Sequence, residues 1–167
     1  MSITFRRAET SDVPLLRRLA HEIWHAHYPG IISVEQIDYM LERMYAPATI
    51  EREMSEGTVW ELILVDDQAV GLLSYSLALP QLKLHKLYVQ PGHHGQGVGR
   101  AALARVKDAA VCAGARSVSL FVNKRNHKAI RAYERAGFCV AESLVSDFGS
   151  GFVMDDYRMA LVVSSAG

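Results

Sequence analysis

The sequence predicts an α/β fold of the α+β kind, a mixed sheet with helices on both faces. Three observations predict it. Hydrophobic residues make up 50% of the 167 positions, enough for a sizeable core and too many for a disordered chain. Apolar residues recur at helical spacing in some segments and alternate with a period of two in others. These segments run in the order strand, helices, several strands, helix, strand, helix, two strands, a succession that lays helices on a sheet. The length suits one domain over residues 1–167.

The elements follow from local chemistry. Ile3-Thr4-Phe5-Arg6 alternates as a strand. Thr10-Ser11-Asp12 offers N-cap side chains for a helix through Trp24, with Leu15, Leu16, Leu19, Ile23 and Trp24 on its apolar face. Pro29-Gly30 breaks the chain, and Ser33 opens a second helix carrying Ile37, Met40, Leu41 and Met44. A third helix, Pro47 to Ser55, ends at Gly57. Strands are predicted at Thr58–Val65 and Ala69–Leu77 around an Asp66-Asp67-Gln68 turn, and again at Leu82–Val89. Gly99–Gly114 reads as an alanine-rich helix closed by glycine. Ser117–Val122 reads as a strand and Asn126–Ala136 as a helix stopped by Gly137. Phe138–Leu144 and Tyr157–Val163 complete the sheet, with Asp147–Gly151 as a loop between them.

Composition narrows the function. No stretch approaches the ~18 consecutive apolar residues of a membrane span, and the first residues lack the apolar core of a signal peptide. A cytoplasmic protein that does not work on membranes is expected. Cys112 and Cys139 have neither CxxC spacing nor disulfide density, and are expected as buried small hydrophobes in a reducing compartment. Net charge is zero but unevenly spread. Ala20–Gly57 holds seven acids and two bases, and Gln81–Gly137 eleven bases and two acids. The basic half wants an anion and the acidic half suits a cation.

Two segments carry the chemistry. Val89-Gln90-Pro91-Gly92-His93-His94-Gly95-Gln96-Gly97-Val98-Gly99-Arg100 follows a strand and opens a helix. Three glycines at alternate positions let the backbone approach a ligand closely, and the unpaired first amides of the helix suit a pyrophosphate, to which Arg100 adds charge. The loop is neither a dinucleotide fingerprint nor a nucleotide P-loop. Further on, Leu120-Phe121-Val122-Asn123 leads to Asn126, then Ala129-Ile130, then Tyr133-Glu134, Gly137 and Phe138. Asn126 and Tyr133, two helical turns apart, share a helix face with Ile130.

Both segments resemble the GNAT superfamily of acetyl-CoA-dependent N-acetyltransferases. The match is strong over Leu82 to Phe138 and loose over the rest. His94 stands where the family's acyl-CoA signature has Arg or Gln, followed by Gly95-Gln96-Gly97-Val98-Gly99. The resemblance implies a mostly antiparallel twisted sheet of about six or seven strands. It implies that acetyl-CoA is held by Leu87, Tyr88, Val89, His94, Gly95, Gln96, Gly97, Val98, Gly99, Arg100, Asn126 and Tyr133. It assigns Tyr133 to protonating the departing CoA thiolate, which a phenol can do because the two reference pKa values lie within about two units. It makes the Val89 amide the candidate donor to the acetyl carbonyl.

Period two places Lys83, His85, Leu87 and Val89 on one strand face. Some family members carry Glu at the position of Lys83, and the aralkylamine-type members carry His at that of His85. His85 is therefore the candidate catalytic base, directly or through water. No spacing unites His85, His93 and His94 as a metal site, and no metal is expected. The acceptor is expected to be a small-molecule primary amine. Acids near Trp24, His25, His27 and Tyr28 suit a cation such as a polyamine, and the layout is similar to bacterial polyamine N-acetyltransferases. Open alternatives are a peptide or protein N-terminal acetyltransferase and a non-catalytic acyl-CoA-binding regulatory module. A nucleic-acid partner is not expected, because the basic half lacks interleaved aromatics and any known binding signature. Related folds often dimerise, so a homodimer is compatible, although no self-complementary patch is visible.

Overall fold

The computed structural model describes residues 1–163; residues 164–167, the end of the expected single domain, lie outside the described residues. The described residues form a mixed seven-stranded sheet in the order β1-β2-β3-β4-β5-β7-β6, with five α-helices. The strands are Ile3–Arg7 (β1), Val59–Val65 (β2), Gln68–Ala78 (β3), Gln81–Val89 (β4), Ser117–Asn123 (β5), Cys139–Gly149 (β6) and Phe152–Val162 (β7). The helices are Val13–His27 (α1), Val34–Met44 (α2), Pro47–Ser55 (α3), Val98–Cys112 (α4) and His127–Arg135 (α5). Pairing is antiparallel for β1 with β2, β2 with β3, β5 with β7 and β6 with β7, and parallel for β4 with β5. The chain divides into two compact units, Met1–Ser76 with Lys86–Ala102, and Leu77–His85 with the chain from Leu103 onward.

In the first unit, helical spacing decides what α1 buries. Leu16, Leu19, Ala20, Ile23 and Trp24 are all buried, as three- and four-residue steps require. Ser33 caps α2 by accepting the Gln36 N–H at 3.1 Å, one of the helix's otherwise orphaned donors. Asp12 does not cap α1. Its carboxylate turns back to Arg6 at 3.0 Å and to the Glu9 N–H at 2.9 Å. The salt bridge wins because it offers a charged, two-pronged donor.

Gly71 on β3 packs against β4. A Cβ there would fall inside contact distance of the Tyr88 carbonyl oxygen and 3.2 Å from Val89 Cα. Only a residue without a side chain permits this approach.

In the second unit, Val118, Leu120, Val122, Phe138 and Met159 are buried. The segment 147–151, expected as a loop, is instead the tip of a long hairpin. Asp147 registers with Val153 and Gly149 with Phe152. Ser150 and Gly151 turn the chain with φ of 54° and 79°, the two positive dihedrals of a hairpin-favouring type I′ turn. Glycine content reads as loop in sequence, yet here it makes a two-residue turn that lets both strands extend. The cysteines also differ from expectation. Cys112 and Cys139 are free but exposed, Cys112 at the last turn of α4 and Cys139 at the start of β6, the outermost strand of the sheet.

Gly71→Ala is expected to cost about 2 kcal/mol or more, because the obstructing atoms are backbone and cannot rotate away. Gly92→Ala, which meets nothing within 4 Å, is expected to stay within about 0.5 kcal/mol. Urea denaturation of the two variants checks this.

Candidate active site

The turn out of β4 into α4 forms an open backbone cradle. Pro91–His93 makes one turn of 3₁₀-helix, then Gly95 and Gly97 take φ of 77° and 82°, a region that disfavours side chains. The first bond of the helix is Ala101 N–H to the Gly97 carbonyl at 2.9 Å. The amides of Val98, Gly99 and Arg100 precede it and point outward from the positive end of the helix. No atom lies within 4 Å of where a Cβ would stand at Gly95, Gly97 or Gly99. The cradle is open, and Arg100 and Gln96 are exposed beside it.

His94 has a role that its position in the motif does not announce. Its Nε2 lies 2.8 Å from the Val89 carbonyl. A carbonyl only accepts, so Nε2 carries the proton. The side chain ties the loop to the end of β4. The Gln90 N–H adds a second tie, donating to the Val70 carbonyl of β3 at 2.8 Å.

The alternation expected along β4 holds only in part. Lys83 and His85 are exposed, Leu87 and Tyr88 are half-buried, and Val89 is buried. Exposure alternates from Leu82 to Lys86 and then gives way to half-buried and buried positions. This last part of β4 is where Gly71 of β3 approaches its backbone.

Asn126 and Tyr133 belong to the second unit, while Leu87–Arg100 belong to the first. Asn126 is buried and caps α5, its Oδ1 accepting the Ala129 N–H at 3.4 Å. Its own N–H donates to the Asn123 carbonyl at 2.9 Å. Tyr133 is half-buried, with its ring edge-on to Phe138 at 5.7 Å.

Trp24 and Tyr28, expected beside the acceptor, are core residues at 1% and 5% exposure. They form one aromatic cluster, Trp24 lying 4.5 Å from Tyr28, 6.2 Å from Tyr45 and 5.7 Å from Tyr88. Four residues apart on α1, they fall on its buried face. His25 Nε2 lies 3.1 Å from an Asp38 carboxylate oxygen. Among the described residues, no group of three or more His, Cys, Asp or Glu is placed to hold a metal ion.

Two charged groups lie outside the set that the sequence nominates. Lys86 is 7% exposed, with Nζ 4.8 Å from the Trp60 ring centre and 5.5 Å from that of Tyr45. Burial pulls its pKa below the usual lysine value, and Glu53 partly opposes this. The alternation that exposes Lys83 and His85 already implies a buried Lys86. Asp156 on β7 registers with Asn123 and is 8% exposed. Burial pushes its carboxyl up to about 6, Asp155 adds to the rise and Lys124 opposes it. Nothing in the local sequence separates it from its neighbour Asp155, which is ion-paired to Lys124 at 2.7 Å.

Residues 17–138 match the sequence profile of the acetyltransferase (GNAT) family. The chain belongs to this family. Over 90 residues it is 33% identical to the streptothricin acetyltransferase of Streptomyces lavendulae, a match covering 53% of this chain and 48% of that protein. The chain spans about half or less of the length of the curated relatives it matches. Among solved structures, the PaiA N-acetyltransferase of Thermoplasma acidophilum, in complex with coenzyme A, aligns with a TM-score of 0.83 at 22% identity. That alignment covers 97% of this chain and 99% of that one. The ribosomal-protein-S18-alanine N-acetyltransferase of Escherichia coli aligns with a TM-score of 0.72 at 23% identity, covering 99% and 97%. At these identities the two likenesses show the GNAT fold alone.

The Asp156 carboxyl titrates near 6 in the fold against an ordinary 3.8, so the folded state holds its proton more readily. Its contribution to stability is fully present below about pH 4 and is lost as pH rises through 6. The loss amounts to about 2 to 3 kcal/mol. Asp156→Asn is expected to remove that decline, which unfolding measurements at pH 4, 5, 6 and 7 check.

Proposed function

We propose that this protein transfers the acetyl group of acetyl-CoA to a primary amine of a small molecule, by direct attack. The observation that carries the reading is the open cradle at Gly95–Gly99, with two glycines at positive φ opening a 15-residue helix. Backbone amides there suit the CoA pyrophosphate, and Arg100 adds charge. The membership of the GNAT family supports the same donor. A donor made and kept inside cells supports a cytoplasmic site of action.

The residues then divide the work. The Val89 amide polarises the acetyl carbonyl, while the Val89 carbonyl, held by His94, fixes the strand end. His85, exposed on β4, takes the proton of the attacking ammonium, directly or through water. Tyr133 gives a proton to the thiolate sulfur as the C–S bond breaks. The nitrogen of the new C–N bond releases its remaining extra proton, directly or through water, to the Tyr133 phenolate, which leaves a neutral amide, free CoA thiol and a restored phenol. Asn126 fixes the start of α5 and offers its side-chain amide to the pantetheine arm.

Gly97→Asp puts a carboxylate and a Cβ in the cradle. It is expected to weaken acetyl-CoA binding roughly 100-fold, about 2.7 kcal/mol, by calorimetric titration. Tyr133→Phe is expected to lower kcat roughly 100-fold and leave acetyl-CoA affinity within about twofold. Unchanged acetyl-CoA affinity in the first variant removes the cradle, and unchanged kcat in the second removes the general acid.

A further inference from the structure

The first unit contains a pocket lined by none of the residues assigned a role in acetyl transfer. It holds about 390 Å³ and is lined by Arg43 and Met44 of α2, Thr49, Arg52 and Glu53 of α3, and Lys86 of β4. That volume lies in the range of small-molecule sites. Three cations and one carboxylate face it.

Lys86 is the informative member. A buried ammonium is costly unless paired. The aromatic faces of Trp60 and Tyr45 offset part of that cost. Among the described residues, no carboxylate lies within 4.0 Å of its Nζ, and Glu53 acts on it only at longer range. Asp38 lies beside His25, and Glu56 sits 3.9 Å from the lining Arg52 in an exposed pair that leaves most of the guanidinium's donors open. The lining thus carries three cations against one carboxylate, although five of its six residues come from an acidic stretch of sequence.

We infer that this pocket binds the carboxylate of a small organic anion, with Lys86 at its base and the Arg43 and Arg52 guanidiniums at its walls. Guanidiniums grip a planar carboxylate through paired N–H donors. Met44 gives the carbon chain an apolar contact, and Glu53 disfavours a denser dianion such as phosphate. The carboxylate belongs either to the amine acceptor itself or to a separate molecule. Binding is a property of the pocket alone, so the inference stands or falls apart from acetyl transfer.

The test is calorimetric titration of the full-length protein with glutarate and, as a neutral match in shape, glutaramide. Glutarate is expected to bind at least tenfold more tightly than glutaramide. Lys86→Met and Arg52→Gln are each expected to weaken glutarate roughly tenfold, about 1.4 kcal/mol. Exchange of a buried charge for an apolar chain is often neutral for folding. Should Lys86→Met nevertheless fail to fold, Arg52→Gln, at an exposed position, decides with the glutaramide comparison. No glutarate binding, equal binding of glutaramide, or unchanged glutarate affinity in the folded variants overturns the inference. In acetyl-transfer assays, competition between glutarate and a carboxylate-bearing amine assigns the pocket to the acceptor. A rate change with a carboxylate-free amine assigns it to a separate molecule.

Discussion

The proposed chemistry depends on how the chain leaves β4 and enters α4. Within a few residues the backbone stops pairing, reverses and begins a helix with its first amides unobstructed. Gly95 and Gly97 at positive φ make the reversal, and the His94–Val89 contact holds it against the strand. Gly71 brings β3 close enough to support the strand from the other side. A helix end alone attracts anions weakly. A helix end with an open approach and a fixed backbone makes a cradle, because its donors are oriented before the ligand arrives.

The same unit shows how burial redirects charge. Lys86 lies on the inner face of β4 against Trp60 and Tyr45. Trp24, Tyr28 and Tyr88 extend this aromatic layer. Trp24 and Tyr28 therefore organise the core. A segment with a formal excess of acids thus gives a cavity both of its arginines and only one of its seven acids. Counting charges along a sequence gives the balance, and only the helix faces decide which charges meet.

Most of the fold was legible because its elements obey short-range rules. Leu16, Leu19 and Ile23 fix the inner face of α1, Ser33 caps α2, and Asn126 caps α5. The errors arose where long-range contacts overrule local signals. Asp12 prefers Arg6 to the helix end, the glycine-rich 147–151 stretch pairs as a hairpin, and the exposed ends of α4 and β6 leave both cysteines in solvent. The sharp glycine turn between strand and helix was legible from the spacing of Gly95 and Gly97. The tie made by His94 was not, since a histidine can turn toward strand or ligand. Asp156 was hidden because its burial depends on strand register, which no local pattern records.

The most direct test of the central claim is release of free thiol from acetyl-CoA across spermidine, spermine, aralkylamines, amino acids and short peptides. The account predicts release that requires an amine, saturates with acetyl-CoA and yields one acetylated amine per thiol. Absence of release with every amine, together with no measurable acetyl-CoA binding, contradicts it.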